Sequence, residues 1–385
     1  MKITKVLFAI LASSIFFTSC ESDDDAIAQG EDVIDPIVDP IVDPIVGPIV
    51  DPIVDPIVDP VFDTEVYREG IIVSHEGGSL SSGSTSFVSF DLATIENGIF
   101  NIVNGEEPGI YQQSIGFKGR DAYIVTDQLD KLTRVDRYTF EKQNEIITGL
   151  DSPRYIEFDG NKGYVSNWGD TGVDTDDFIA VINLDTQEVE TVINVDLGPE
   201  QLAVANGKLY VSHKGAFGIN NIISVIDLST NEVLSKIETG YAPDELIIVD
   251  EQLWVAVEGG QFWSSTGETT SSITIIDTND DTILRTLEFG TSVHISQFDY
   301  SDGLFYYSIG ADIYQLTESA EVLPTEAVAK ATSIYGMSVY DGKIYTVDPS
   351  DYASNGFLNV FNIETSEWME PITLGLIPSK IYFNE

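Results

Sequence analysis

The chain has 385 residues, of which 64 are Asp or Glu and 18 are Lys or Arg, so its formal net charge is −46. Because nucleic acids and anionic lipids are bound through clustered cations, this charge excludes a nucleic-acid-binding protein and a protein held to membranes by a basic patch. Hydrophobic residues form 43% of the chain, which is enough for a substantial core. The single cysteine, Cys20, excludes disulfide frameworks, Cys-based metal sites and thiol redox pairs.

The first residues have the pattern of a secretory signal. Two lysines precede an apolar run over residues 6–17, which is shorter than the roughly 20 residues of a membrane-spanning helix. The run ends in Phe-Thr-Ser-Cys, which resembles a bacterial lipobox, in which the cysteine is lipidated. We therefore expect residues 1–19 to be a lipoprotein signal peptide and Cys20 to carry the anchor. An ordinary cleaved signal that happens to end in Cys is the alternative.

An acidic segment follows the cysteine. Glu-Ser-Asp-Asp-Asp at residues 21–25 resembles the export signal that sends Bacteroidetes lipoproteins to the outer leaflet of the outer membrane. The alternative is an acidic start to a linker. The resemblance implies a protein anchored in the outer membrane by its lipid alone and facing the cell exterior.

Residues 20–63 are predicted to form a tether. From residue 35 the sequence repeats Asp-Pro-Ile-Val or a close variant every four residues. Proline at every fourth position excludes a helix and a central β-strand and favours extended geometry in the preceding residue. A polyproline-like spacer of this kind rises roughly 3.1 Å per residue, so its 28 residues could reach on the order of 85 Å.

From residue 64 to residue 385 the sequence repeats with a period of 40 to 48 residues, most clearly over 151–194, 198–238 and 240–288. Each copy has a Pro-containing turn and a short apolar strand, then a tight polar turn such as Asn206-Gly207. A second strand, a long loop, a third strand that ends in Asp and a fourth strand complete the unit. Four short strands per period predict an all-β fold, a seven-bladed β-propeller with four-stranded antiparallel blades.

The two ends of the domain are predicted to share a blade. The first repeat begins at its second strand, residues 70–74, and lacks the innermost strand. A segment that matches the missing strand occurs at residues 377–383. A composite blade made from both ends would close the ring and remove the open sheet edges that invite aggregation.

The recurring Tyr-Val-Ser and Val-Ile-Asp-Leu strands resemble those of YVTN-repeat or YncE-like propellers, often called surface-layer-type or DUF5074-like, which share the quinoprotein-dehydrogenase-like fold. Together with the lipobox, acidic signal and tether, they resemble Bacteroidetes surface lipoproteins that sit over TonB-dependent transporters. Some of that group capture corrinoids (vitamin B12, cobalamin) and others capture siderophores. The resemblance implies nutrient uptake through ligand binding, although the propeller fold itself hosts many activities.

Loop lengths indicate where a ligand would bind. The long loops after the second strands and the crossovers between blades share one face, and variable loops on a rigid scaffold commonly carry recognition. Polar residues at the second-strand ends and one position past the crossover prolines form two rings on that face, and several aromatic residues lie in its loops. The candidate ligand-binding residues are His75, Gln113, Arg154, Trp168, His213, Lys214, Phe217, Phe262, Trp263, His294, Tyr335 and Tyr352.

Enzymatic chemistry has little support in the sequence. It contains no Gly-x-Ser-x-Gly elbow, no His-Glu-x-x-His helix and no Gly-x-Gly-x-x-Gly loop, so we expect a binding protein that requires no cofactor. One loop has donors suited to Ca²⁺ but lacks the ligand order of an EF-hand. Its carboxylates, the candidate calcium ligands, are Asp170, Asp174, Asp176 and Asp177.

The sequence thus favours a surface lipoprotein that binds a bulky small molecule and passes it to an outer-membrane TonB-dependent transporter. By resemblance a corrinoid ranks first and a siderophore second. A propeller that binds proteins or glycans at the cell surface is the main alternative. A propeller hydrolase or lyase is a further one, and it would need a metal or a paired acid and base in the channel.

Overall fold

The computed structural model describes residues 65–170 and 172–385. The signal peptide expected over residues 1–19, the lipidated Cys20 and the tether expected over 20–63 lie outside the described residues. Within them, no helix has the length and apolar character needed to cross a membrane.

The strands follow the blade order of the chain. Blade 1 contains β1 (Gly70–His75), β2 (Ser84–Ser89) and β3 (Ile95–Asn97). Blade 2 contains β4 (Gln112–Lys118), β5 (Asp121–Thr126), β6 (Lys131–Asp136) and β7 (Lys142–Ile146). Blade 3 contains β8 (Pro153–Asp159), β9 (Lys162–Asn167), β10 (Phe178–Asn183) and β11 (Glu188–Asn194). Blade 4 contains β12 (Pro199–Ala205), β13 (Lys208–His213), β14 (Ile222–Asp227) and β15 (Glu232–Glu238).

The remaining strands complete the ring. Blade 5 contains β16 (Pro243–Val249), β17 (Gln252–Val257), β18 (Ser272–Asp277) and β19 (Ile283–Glu288). Blade 6 contains β20 (Ile295–Ser301), β21 (Leu304–Ile309), β22 (Asp312–Thr317) and β23 (Ala329–Lys330). Blade 7 contains β24 (Gly336–Tyr340), β25 (Lys343–Asp348), β26 (Asn355–Asn362), β27 (Glu367–Trp368) and β28 (Ile372–Leu376). The last strand, β29 (Pro378–Asn384), returns to blade 1.

Each blade is an antiparallel sheet whose first strand lies innermost, next to the innermost strand of a neighbouring blade. The second strand of each sheet is covered on both faces by adjacent blades, which explains its apolar run; β13, for example, is buried from Leu209 onwards. Seven hydrophobic clusters fill the seven blade interfaces, and the largest side chain among them, Trp254, stacks on Phe305 with ring centroids 3.9 Å apart. The predicted all-β, seven-bladed propeller is confirmed.

Blade 1 is composite, as the sequence predicts. Strand β29 pairs antiparallel with β1 from Gly70, opposite Asn384, to His75, opposite Pro378. One feature was not anticipated. A short helix, α1 (Ile99–Asn104), lies in the crossover from blade 1 to blade 2, where Gly98 and Gly105 take left-handed conformations at its two ends.

The innermost strands share a local irregularity that positions the site. In six of the seven, the strand register shifts at or near the first residue pair, so that one or two residues bulge out of the ladder. In β8, for instance, Pro153 pairs with Asn167 and Ile156 with Val165, which leaves Arg154 and Tyr155 opposite a single residue. A β-bulge re-aims side chains, and here it turns them toward the axis of the ring.

Candidate functional site

A cavity of about 310 Å³ opens on the axis of the ring, and every blade contributes to its lining. Most of its lining comes from the bulges of the innermost strands and from residues just after the second strands. Its lining residues are Glu76, Gln113, Arg154, Tyr155, Glu200, Lys214, Asp244, Glu245, Glu258, Ser296, Gln297, Ile334, Tyr335, Ser379 and Lys380. The cavity is therefore predominantly polar, with five carboxylates and three cationic side chains.

Four of the candidate ligand-binding residues meet in this cavity: Gln113, Arg154, Lys214 and Tyr335. Three of them lie at the crossover position, one residue past the proline or its equivalent, and Lys214 directly follows β13. The ring predicted at the crossovers thus coincides with the lining of the cavity in most blades.

Arg154 makes the tightest polar contacts on one side of the cavity. Its Nη2 donates to Glu200 Oε1 at 2.8 Å and its Nε donates to Oε2 at 3.3 Å, a two-bond arrangement that fixes both side chains. Its guanidinium also lies 3.8 Å from the ring centre of Trp168. The face of the guanidinium lies over Trp168 and one of its edges bonds Glu200. Arg154 therefore holds both neighbours in place in addition to supplying a positive charge to the wall.

Lys214 organises the opposite side. Its Nζ donates to Asp244 Oδ2 at 2.6 Å and to Glu258 Oε1 at 2.9 Å. Desolvation opposes the charged form of Lys214, but the two carboxylates outweigh it and raise its pKa well above the usual value. Burial raises the pKa of Glu258 to about 7, with Lys214 acting in the opposite direction. Lys214 therefore stays charged on this wall, while Glu258 takes up a proton more readily than an exposed glutamate does.

Three lining residues that sequence reasoning missed lie at the floor. Tyr155, Glu245 and Lys380 follow the crossover proline by two positions, whereas the predicted ring contains the residues one position past that proline. The Nζ of Lys380 lies 5.7 Å from the ring centre of Tyr155. These three residues, with Gln297, also line a second cavity of about 200 Å³. These residues therefore lie between the two cavities. A two-residue bulge after the proline turns the second residue as well as the first toward the axis, and a repeat pattern that allowed for it would have identified them.

Of the aromatic candidates, only Tyr335 lines the cavity, and others lie beside it. Phe217 is 80% exposed, and its ring centre lies 5.8 Å from that of Trp168. Tyr352, also exposed, contacts Tyr335 in an edge-on arrangement at 5.6 Å. A ligand seated in the cavity would meet these rings at its rim.

Phe262 and Trp263 form a separate exposed pair in the loop after β17. They are 75% and 70% exposed, and their rings meet edge-on with centroids 4.7 Å apart. Neither lines the axial cavity. Adjacent large apolar side chains that are exposed to solvent commonly mark a binding surface.

The three histidines do not line the cavity. His75 and His213 end second strands, where the neighbouring blades cover them completely, and each Nε2 lies within 2.9 Å of a serine hydroxyl, Ser86 or Ser224. His294 points away from the cavity, with Nδ1 2.6 Å from the carbonyl oxygen of Glu258 and Nε2 2.9 Å from a carboxylate oxygen. A strand-end position predicts a polar neighbourhood, but the packing of adjacent blades decides which way the side chain points.

Burial lowers the pKa of His75 and of His213 to about 4. Unfolding lets each imidazole take up a proton near pH 6.5, so their stabilising contribution is complete above that pH and is lost as the pH falls toward 4. We expect each histidine to reduce the free energy of unfolding by about 2 kcal/mol between pH 7.5 and 5. Urea unfolding at both pH values measures this.

The matched comparison for this prediction is a pair of single variants, His75→Gln and His213→Gln, with the double variant. The double variant should lose most of the change in the free energy of unfolding between pH 7.5 and 5, and each single variant should lose about half as much of that change. An unchanged pH dependence in the double variant would show that these imidazoles are not held neutral.

In the candidate calcium loop, three of the four carboxylates accept hydrogen bonds from nearby backbone N–H groups. Asp176 and Asp170 accept backbone N–H groups within their own loop, and Asp177, which is buried, accepts the N–H of Gly198 at 2.7 Å. Burial raises the pKa of Asp177 to about 6. Among the residues that the structure describes, the one group of three carboxylates close enough to share an ion is instead Asp244, Glu245 and Glu258. Calcium binding by the loop stays a prediction.

Comparison with solved structures supports the architecture. The chain is similar to the computationally designed Ika8 protein at 12% identity and a TM-score of 0.53, covering 84% of this chain and 94% of that one. It is similar to Kuenenia stuttgartiensis hydrazine synthase at 16% identity and a TM-score of 0.52, over 75% and 89% of the two chains. It is also similar to the dihydro-heme d1 dehydrogenase NirN at 12% identity and a TM-score of 0.52, over 84% and 77%.

At these identities the likeness concerns the fold alone, and the enzymatic activities of two of these proteins do not carry over. No curated protein matches the chain. A family model does match: the domain of unknown function DUF5074, over residues 69–354, which spans most of the propeller. The chain therefore belongs to the DUF5074 family of β-propellers.

Proposed function

We propose that this protein captures a small molecule at the cell surface and passes it to a TonB-dependent transporter of the outer membrane. The observation that carries the proposal is the axial cavity, to which all seven blades contribute polar groups below a rim of exposed aromatic rings. Converging polar groups beside apolar surface are typical of small-molecule sites. The lipid anchor and acidic segment of the sequence supply the proposed location.

The size and charge of the cavity favour one mode of capture. A volume of about 310 Å³ admits a polar arm of a bulky ligand but not its body, which would rest on the rim against Phe217 and Tyr352. The excess of carboxylates favours N–H donors and disfavours anions. A corrinoid carries neutral carboxamide arms, whereas many siderophores are anionic, so we rank a corrinoid first and a siderophore second.

We propose binding without turnover. The cationic groups Arg154 and Lys214 are held by carboxylates, which fixes the charged wall that a polar arm of the ligand would meet. Capture followed by transfer requires affinity and release but no covalent step. A capture protein of this kind should leave its ligand chemically unchanged.

Equilibrium binding by the purified full-length chain tests the proposal. Calorimetry with a corrinoid and with a ferric siderophore should show tight binding of one class, and recovered ligand should be unaltered. Phe217→Ala should weaken binding about tenfold, because burial of a phenyl ring on binding contributes on the order of 1.5 kcal/mol or more. The matched control is Val322→Ala, an exposed apolar residue in the connection between β22 and β23 on the opposite face. Failure to bind either class would refute corrinoid or siderophore capture.

A second candidate function rests on Phe262 and Trp263. An exposed aromatic pair outside the cavity suits a glycan or a protein partner better than a ligand held on the axis. If this function holds, Trp263→Ala abolishes binding to a glycan array or to surface proteins, while Phe217→Ala leaves it unchanged. The reverse pattern supports small-molecule capture.

A further inference from the structure

The wall formed by blade 5 holds three carboxylates in an arrangement that the capture of an organic ligand does not require. Asp244 and Glu245 are consecutive residues of the bulge in β16, and Glu258 directly follows β17. The bulge allows two consecutive side chains to approach the same partner, which a regular strand forbids. One oxygen from each carboxylate lies within 4.8 Å of the other two.

Two of these carboxylates have buried oxygens that lack partners. Asp244 and Glu245 are 6% and 9% exposed, and in the part of the chain that the structure describes neither Asp244 Oδ1 nor Glu245 Oε2 has a hydrogen-bond partner. Buried polar atoms are nearly always satisfied, and a buried carboxylate without a partner is costly. Glu245 lines both cavities, so its side chain reaches the space where a partner would sit.

Charge and ligand chemistry identify the class of partner. The cavity lining has five carboxyl groups against three cationic side chains, an excess of two negative charges when all of them are ionised, as they are when they bind a metal ion. Carboxylate oxygens without nitrogen or sulfur donors suit hard divalent cations such as Ca²⁺, whose ligands lie at about 2.3–2.6 Å. That distance places two ligand oxygens on opposite sides of an ion up to about 5 Å apart, which matches the spacing of this group.

We propose that the axial cavity binds a hard divalent cation, with Ca²⁺ as the preferred ion, through Asp244, Glu245 and Glu258. This site is distinct from the acidic loop at residues 170–177, and it does not depend on which organic ligand the cavity captures. Lys214 competes for the same carboxylates, but its side chain is 35% exposed and can move aside into the cavity. The ion would then satisfy the two oxygens that the protein leaves without donors.

Metal titration of the full-length chain tests this inference. After chelator treatment and dialysis, calorimetry with Ca²⁺ should reveal a site that Glu245→Gln weakens at least tenfold. Terbium luminescence, excited through the nearby Tyr155 and Tyr335, should lose intensity in the same variant. Lys214→Met should tighten binding several-fold, because it removes the competing cation.

The double variant Asp174→Asn and Asp176→Asn removes two candidate calcium ligands of the surface loop, so calcium binding that persists in it belongs to the cavity site. The matched control is Glu321→Gln, an exposed carboxylate in the connection between β22 and β23 whose removal should leave calcium binding unchanged. Glu258→Gln provides an independent variant should Glu245→Gln fail to fold, and circular dichroism and urea unfolding report on both. Absence of binding at millimolar Ca²⁺ would overturn the inference, as would binding retained by both glutamine variants. No organic ligand is present in these titrations, so their outcome is separate from that of the capture experiments.

Discussion

Removal of residues 377–385 should prevent the propeller from folding. These residues include β29, which supplies the innermost strand of blade 1 and pairs with β1 along its whole length. The side chains of Ile377 and Ile381 are buried and those of Tyr382 and Phe383 are partly buried. Such burial contributes about 1–2 kcal/mol for each side chain, which together is comparable with the roughly 5–15 kcal/mol stability of a typical domain. The truncated chain is expected to aggregate, because β1 would become an open, apolar edge.

Side-chain contacts from β29 extend this role beyond its own blade. Asn384 Nδ2 donates to the carbonyl oxygens of Tyr67 and Arg137, at 2.5 Å and 2.9 Å, and its Oδ1 accepts from Arg137 Nε at 2.6 Å. The hydroxyl of Tyr382 accepts the N–H of Ile115 in blade 2 at 2.8 Å. The strand therefore links the two ends of the domain to the neighbouring blade.

Size-exclusion chromatography and near-ultraviolet circular dichroism measure the outcome. The control is a circular permutant in which residues 377–385 precede residue 65 through a short Gly-Ser linker. Because Asn384 lies opposite Gly70, the joined ends are close, and the permutant should fold. A truncated chain that stays monomeric and unfolds cooperatively would mean that β29 is dispensable.

Arg154→Met should lower the free energy of unfolding by about 3–5 kcal/mol, because it leaves the buried Glu200 carboxylate without its partner. The side chains of Arg154 and Glu200 are 13% and 5% exposed, so little water can replace the lost bonds. In the double variant Arg154→Met and Glu200→Gln the unpaired charge disappears, and stability should return close to that of the parent. Urea unfolding of the parent, the two single variants and the double variant gives the coupling free energy between Arg154 and Glu200 directly.

The control for this cycle is Lys236→Met, which breaks an exposed ion pair with Asp196 at 2.5 Å. Exposed pairs contribute about 0–1 kcal/mol, so little change is expected. If Arg154→Met were as mild as Lys236→Met, Arg154 would be free to serve a ligand and its contact with Glu200 would be incidental. The double variant also separates the stabilising role of Arg154 from a role in ligand binding, because it should keep the fold while removing both charges from the cavity wall.

The repeat pattern is what made the fold predictable. Hairpin signals such as Asn206-Gly207 recur at blade spacing, and the absence of an innermost strand before residue 70 identified the composite blade. These features depend on residues close together in the chain or on a count of strands. Helix α1 escaped prediction because six residues carry too little periodicity to be distinguished from a loop.

The candidate site was predictable in position but not in side-chain direction. Arg154 was found because it lies at a recurring place in its repeat, whereas His213, at an equally recurrent place, is covered by the neighbouring blade. Lys214, which lines the cavity, stood out in the sequence only as one of the few cations near this face. Lys380 belongs to the last strand and reaches the floor of the cavity only because the ring closes.

The sequence by itself determined the number of blades, the closure of the ring and the face on which polar residues gather. All three follow from local periodicity and turn chemistry. Only the tertiary structure decided which of those residues share the cavity, which cations are already paired and which carboxylates lack donors. The bulges and the packing of seven blades fix the direction of each side chain, and those depend on contacts between residues far apart in the chain.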